Sequence, residues 1–130
     1  MRVFFDTNVW YSALVSNGLC EALLARVPTD HTLLSSALVW DELSAVLVRK
    51  AAAHPLVVQR SHVVFETAAL IDDIAEPSED NDARLVSAAR AARSDLFVTG
   101  DTRVLGWDAS NGMRIVKPRE AWLILYPITA

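Results

Sequence analysis

Met1-Arg-Val-Phe-Phe-Asp-Thr-Asn8 is the stretch whose reading decides the fold. Val3, Phe4 and Phe5 make a short apolar run rich in β-formers, and it stops abruptly on the small polar residues Asp6, Thr7 and Asn8. A buried strand that ends this way carries its carboxylate at the carboxyl end. In open α/β sheets that is where ligands bind, at the point where strand order reverses, so Asp6 is the natural centre of a site. Asp6 or Asn8 would equally serve as the cap of a helix beginning near Val9. The stretch by itself leaves both readings open.

Composition narrows the class. A chain of 130 residues, 52% hydrophobic and with only 4 glycines and 5 prolines, can bury one sizeable core but not two, so a single soluble domain over residues 1–130 is expected. Cys20 has no partner for an intramolecular disulfide or a paired-thiol metal site, which fits a reducing cytoplasm, and it reads best as a buried small apolar residue. No apolar run approaches membrane-spanning length, and the start of the chain lacks the regions of a signal peptide, so the expected location is cytoplasmic with no membrane partner. A net charge of −4 argues against a cationic nucleic-acid coat. It is compatible with a nuclease whose carboxylates surround metal ions beneath a local arginine rim.

Outward from the first strand, the chain alternates helix and strand signals without repeats or a linker. Val9 to Leu14 and Leu19 to Val27 read as tandem helices, the second closed by Pro28. His31 to Ser35 is the second strand, and Ser35 or Ser36 caps a helix over Ala37 to Lys50. On that helix Glu42 has Leu38, Val39, Ala45 and Val46 three and four positions away and faces inward, whereas Asp41 does not. An inward carboxylate needs a partner, a hydrogen bond or a metal, unless it reaches solvent or Arg49. Ala51 to Ile74 reads as helix in two pieces broken near His54-Pro55, with Leu56, Val57, Val63, Val64, Phe65, Leu70 and Ile71 packing. His54 and His62 are not spaced as metal ligands and are assigned no chemistry. Asp72 and Asp73 fall at a helix end, Ile74-Ala-Glu76 reads as a short edge strand before a turn at Pro77, and Glu79 to Asp82 is the densest acidic patch.

The helix from Asp82 carries Leu85, Val86, Ala89 and Ala92 on one face; Asp80 suits its N-cap, and Asp82, in its first turn, faces the same core edge. Leu96-Phe-Val-Thr-Gly-Asp101 is a second strand that ends on a carboxylate, with Gly100 allowing a sharp turn and Thr102 to Trp107 a short helical turn. Met113 to Pro118 closes the sheet, and Arg119 to Tyr126 is the last helix. With right-handed crossovers this order predicts a parallel sheet flanked by helices, with the first and fourth strands adjacent and Asp6 beside Asp101.

Asp6, Glu42, Asp82 and Asp101 thus fall on one rim of the sheet. Four carboxylates in one pocket raise one another's pKa and cannot all ionise without cations. Mg²⁺ or Mn²⁺ suits an all-oxygen site without histidine or cysteine, and such ions can stabilise the attacking and leaving oxygens of a phosphodiester.

Four segments together resemble the PIN-domain nucleases, in particular the VapC-like toxins of bacterial toxin–antitoxin pairs: Val3-Phe-Phe-Asp-Thr-Asn-Val, Asp41-Glu-Leu-Ser-Ala-Val-Leu, Asn81-Asp-Ala-Arg-Leu-Val-Ser-Ala-Ala and Leu96-Phe-Val-Thr-Gly-Asp. Each is weak alone; in this order and spacing they are specific. The resemblance implies a three-layer α/β/α fold with a central, mostly parallel sheet of four to five strands. It also implies a metal-dependent ribonuclease that cuts RNA, is often neutralised by an antitoxin and is often a homodimer. It places the acids at Asp6, Glu42, Asp82 and Asp101, with Asn8 and Thr99 in support. Asp6, Asp82 and Asp101 would be direct metal ligands, and Glu42 a ligand or the base that orients water. Thr7, Asn8 and Thr99 would hold those carboxylates. Arg84, Arg103, Arg49 and Lys50 are candidates for phosphate contacts. The Ala51–Ala53 region and the helix pair after it fall where the family varies and contacts substrate or partner.

Other classes fit less well. A phosphate-receiver domain would end its last strand in Lys-Pro, as in Lys117-Pro118, but needs a pair of acids after strand one, where this chain has Asp6-Thr-Asn. A haloacid-dehalogenase-type phosphatase wants an Asp at position 8, which is Asn8. The remaining alternative is a non-catalytic binding protein on the same fold that sequesters RNA or a protein partner.

Overall fold

The computed structural model describes residues 1–50, 55–75, 80–107 and 112–128. Along them β1 (Arg2–Phe5) leads into α1 (Thr7–Val15) and α2 (Leu19–Asp30), and β2 (Thr32–Ser36) into α3 (Ala37–Lys50) and α4 (Pro55–Phe65). β3 (Ala69–Ile71), α5 (Asn81–Ala91), β4 (Leu96–Val98), α6 (Thr102–Leu105), β5 (Arg114–Val116) and α7 (Pro118–Leu125) follow. The strands form one parallel five-stranded sheet in the order β3-β2-β1-β4-β5, within a three-layer α/β/α arrangement.

The strand sequences explain that order. Val3, Phe4 and Phe5 in β1, and Leu96, Phe97 and Val98 in β4, are buried throughout, as central parallel strands covered on both faces must be. Phe4 pairs with Phe97 in register and their rings stack at 5.4 Å. The edge strands β3 and β5 are short and partly exposed. Trp10 and Leu23 complete the core from α1 and α2. Chain order runs outward from β1 to β3 on one side and returns to β4 on the other, so β1 and β4 meet at the switch point.

Four expectations change. The third strand is Ala69–Ile71; Ile74 and Ala75 are not in a strand, and Glu76 of the expected edge strand lies outside the described residues. It pairs Leu34 with Ala69 and Ser36 with Ile71, so Leu70 and Ile71 belong to a strand rather than to a helix. Leu56, Val63 and Leu70 are exposed rather than packed, while Val57, Val64 and Phe65 do pack on the core. Asp72 and Asp73 therefore follow a strand, and Asp73 Oδ2 accepts the Leu38 N–H at 3.1 Å, helping to cap α3. Finally, α2 passes through Pro28 to Asp30: proline's fixed φ is helical, its missing N–H and its ring disturb only the last turn, and the His31 N–H still closes the helix on the Val27 carbonyl at 2.8 Å. The expected break at His54 and turn at Pro77 lie outside the described residues. Among those described, no helix is long and apolar enough to cross a membrane.

Phe4→Ala is expected to lower stability by about 3–5 kcal/mol, because the stacked partner Phe97 cannot fill the space. Val63→Ala, at a side chain 67% exposed, should change it by less than about 0.5 kcal/mol. Urea unfolding of both variants checks the contrast.

Candidate active site

Asp6 follows directly on β1, and its N–H donates to the Val98 carbonyl at 2.9 Å, so pairing with β4 continues into the acid itself. The residue is only 3% exposed. Its Oδ1 accepts the Thr7 N–H at 2.7 Å, and its Oδ2 accepts Thr99 Oγ1 at 2.8 Å and Asn8 Nδ2 at 3.1 Å. Asp6 is therefore the N-cap of α1 and the centre of an acidic cluster at once.

Thr99 is fully buried just past β4 and works as a hub. While donating to Asp6, its Oγ1 accepts Asn8 Nδ2 at 3.2 Å and the Asp101 N–H at 3.0 Å. Asn8 Oδ1 accepts the Gly100 N–H at 2.9 Å and ties α1 to the turn after β4. Gly100 does not have a positive φ, and an added Cβ would meet only Asn8 Oδ1 at 3.5 Å, so the turn does not require glycine's freedom. Asp101 caps α6 through the Arg103 N–H at 2.9 Å.

Glu42 is half-buried on α3, and Asp41 beside it is exposed. Thr7 Oγ1 donates to Glu42 Oε1 at 2.7 Å, and Asn81 Nδ2 reaches Oε2 at 3.4 Å. Asp80 caps α5 through the Asp82 N–H at 3.0 Å. The Arg103 guanidinium spans Asp80 and Asp82, donating to Asp82 Oδ2 at 2.6 Å and to the two Asp80 oxygens at 3.1 and 3.3 Å. The four predicted acids and Thr7, Asn8 and Thr99 are thereby joined in one neighbourhood at the carboxyl ends of the strands.

The start of α5 supplies two further participants. Asn81 supports Glu42, and its only local signal is its place beside Asp82. Asp80, read as a cap, is also an anchor for Arg103. Of the basic candidates, Arg84 Nε donates to the Ile74 carbonyl at 3.2 Å and its Nη1 to Asn81 Oδ1 at 3.4 Å, so it braces the start of α5. Lys50 Nζ lies 5.7 Å from the Tyr11 ring, and Arg49 folds back on the Ala45 carbonyl. A groove of about 380 Å³ adjoins Asp101, running from Asn8 and Gly100 past Ser12 to Cys20 and Pro118.

Burial, reinforced by the charges of Asp82 and Glu42, pushes the Asp6 carboxyl up to about 6, despite the opposing hydrogen bonds from Thr99 and Thr7. The Arg103 guanidinium holds the Asp80 carboxyl below its usual range. This is an oxygen-rich cluster with an excess of negative charge, into which one cationic side chain already reaches, and such a donor set suits a hard divalent cation. Among the described residues, however, no three aspartate, glutamate, histidine or cysteine side chains stand close enough together, as placed, to hold one.

The PIN domain family matches residues 2–103 of the chain. A chain in the crystal structure of VapBC2 from Rickettsia felis bound to a DNA fragment from their promoter is similar in fold, with a TM-score of 0.67 at 15% sequence identity, over 90% of this chain and 98% of that one. No curated protein matches in sequence.

The unfolded chain ionises Asp6 near 3.8 and the folded chain near 6, so the folded state holds its proton longer. Metal-free protein should therefore lose up to about 3 kcal/mol of stability as pH rises through that window. Asp6→Asn lacks this step. Chemical denaturation of both proteins from about pH 3.5 to pH 7 should show their stability difference moving by that amount. Thr99→Val should cost about 1–3 kcal/mol and raise the Asp6 pKa further, read from carboxyl NMR titration.

Proposed function

The chain belongs to the PIN-domain family, and from that membership we propose that it is a metal-dependent endoribonuclease, the toxin of a type II toxin–antitoxin pair acting in the cytoplasm. The observation that carries the reading is the buried Asp6 carboxylate at the β1–β4 switch point, under the charges of Asp82 and Glu42. A group in that condition calls for positive charge, and the phosphodiester of an RNA strand calls for it too.

In this reading Asp6, Asp82, Asp101 and Glu42 would close on Mg²⁺ or Mn²⁺, which when bound would supply charge against the phosphate oxygens and lower the pKa of water. Glu42, steadied by Thr7 and Asn81, orients the attacking water and takes its proton at a carboxylate oxygen. Thr99, Asn8 and the Thr7 N–H keep the Asp6 oxygens aimed. Arg84 and Arg103 meet the phosphates, and the groove past Asn8 and Asp101 takes the flanking strand. The partners are RNA, a cognate antitoxin and a second copy of the chain.

Purified protein incubated with structured and unstructured RNAs in Mg²⁺, Mn²⁺ or EDTA tests this. Cleavage should require the metal and be lost in Asp6→Asn and Asp82→Asn, with each variant's folding verified. Glu42→Gln should fall by about 10²–10⁴-fold. Folded wild type that binds RNA but leaves every substrate intact would overturn the catalytic reading and favour a sequestering protein.

A further inference from the structure

We propose that Arg103 is a built-in counter-ion for Asp82, displaced when a divalent cation binds, so that guanidinium and metal compete for one carboxylate. The inference rests on the metal-dependent reading above and adds to it the residue that sets the metal affinity.

Three carboxylates and one aromatic ring fix Arg103. Its N–H is held by Asp101 Oδ1 at 2.9 Å, which sets its backbone at the start of α6. Its guanidinium forks onto Asp80 through both terminal nitrogens, at 3.1 and 3.3 Å. The shortest contact, 2.6 Å, runs from Nη2 to Asp82 Oδ2. Behind it, the Trp107 ring lies 5.0 Å from the guanidinium carbon.

Asp80 and Trp107 matter because they do not depend on Asp82. If the Asp82 contact breaks, the planar fork still has a carboxylate and an aromatic face to rest on. The side chain is 54% exposed, so the exchange opens no core. The arrangement also accounts for the separation of the acids: Asp82 is turned to Arg103, and Glu42 is engaged by Thr7 and Asn81. Release of Asp82 returns one carboxylate to the cluster and leaves a cation at its rim, where it can pair with a phosphate. Metal entry and phosphate capture are coupled through one side chain.

Calorimetric titration of the 130-residue chain with Mn²⁺ tests the competition, with Asp82→Asn locating the ion. Arg103→Gln should bind Mn²⁺ about tenfold more tightly than wild type. Arg103→Lys, which keeps the charge but loses the fork, should fall between them. In wild type, the Arg103 Nε–Hε NMR signal should move on Mg²⁺ addition with the midpoint of ion binding. An affinity in Arg103→Gln equal to or weaker than wild type, an Arg103→Lys affinity equal to wild type, or an unmoved Nε signal overturns the competition while leaving the metal reading intact. Absence of binding in wild type and Arg103→Gln alike removes the metal reading, and this inference with it. Binding by Arg103→Gln alone supports the competition in its strongest form.

Discussion

The Asp6 carboxylate has almost no access to water and feels the charges of Asp82 and Glu42. An anion so placed is held by whatever donors the surrounding backbone and side chains can aim at it. Here they are the Thr99 hydroxyl, the Asn8 amide and the N–H that opens α1. They offset part of the burial without cancelling it, and the carboxyl stays raised to about 6. Such a group is a standing loss of stability that the hydrophobic core carries. The core can do so because Asp6 emerges from the strand whose Phe4 and Phe5 are fully buried and whose Phe4 stacks on Phe97 of β4.

Helix capping and site building draw on the same residues. Asp6, Asp80 and Asp101 cap α1, α5 and α6, each accepting a backbone N–H at the helix start. Helix N-termini carry partial positive charge, and three of them reach the acidic end of the sheet. Together with the Arg103 guanidinium they supply positive charge close to the carboxylates. The two readings of Asp6 suggested by the first eight residues, cap or site, are therefore one arrangement. A strand ending on an acid that also starts a helix delivers the carboxylate on rigid backbone from both sides.

Sheet register governs what meets what at this end. Phe5 pairs with Val98, so the residues that follow each of them, Asp6 and Thr99, emerge side by side. From that pairing the remaining links follow outward: Thr99 to Asp101, Asp101 to the Arg103 backbone, and Arg103 to Asp80 and Asp82. A shift of one residue in β4 would turn Thr99 away from Asp6 and break the chain of contacts at its first member.

The apolar runs Val3–Phe5 and Leu96–Val98 declared themselves as central strands in the sequence, because burial on both faces leaves no room for polar alternation. Inward placement of Glu42 was readable from its neighbours at helical spacing, and the Asp80 cap from its position before α5. Those features depend on residues within a turn or two of one another. β3 was not readable: Ala69-Leu-Ile71 continues an apolar stretch of helical period, and only the free edge of β2 makes it a strand. Nor was the end of α2 beyond Pro28, where the chain stays helical to Asp30. Thr7 was expected to hold one of the site carboxylates, but that it holds Glu42, that Asn81 joins it, and that Arg103 spans Asp80 and Asp82 lay beyond sequence reasoning. Local pattern and propensity determined the elements and which acids face inward. The tertiary structure alone decided which side chain neutralises which acid, because partners far apart in the chain are brought together by strand order and register.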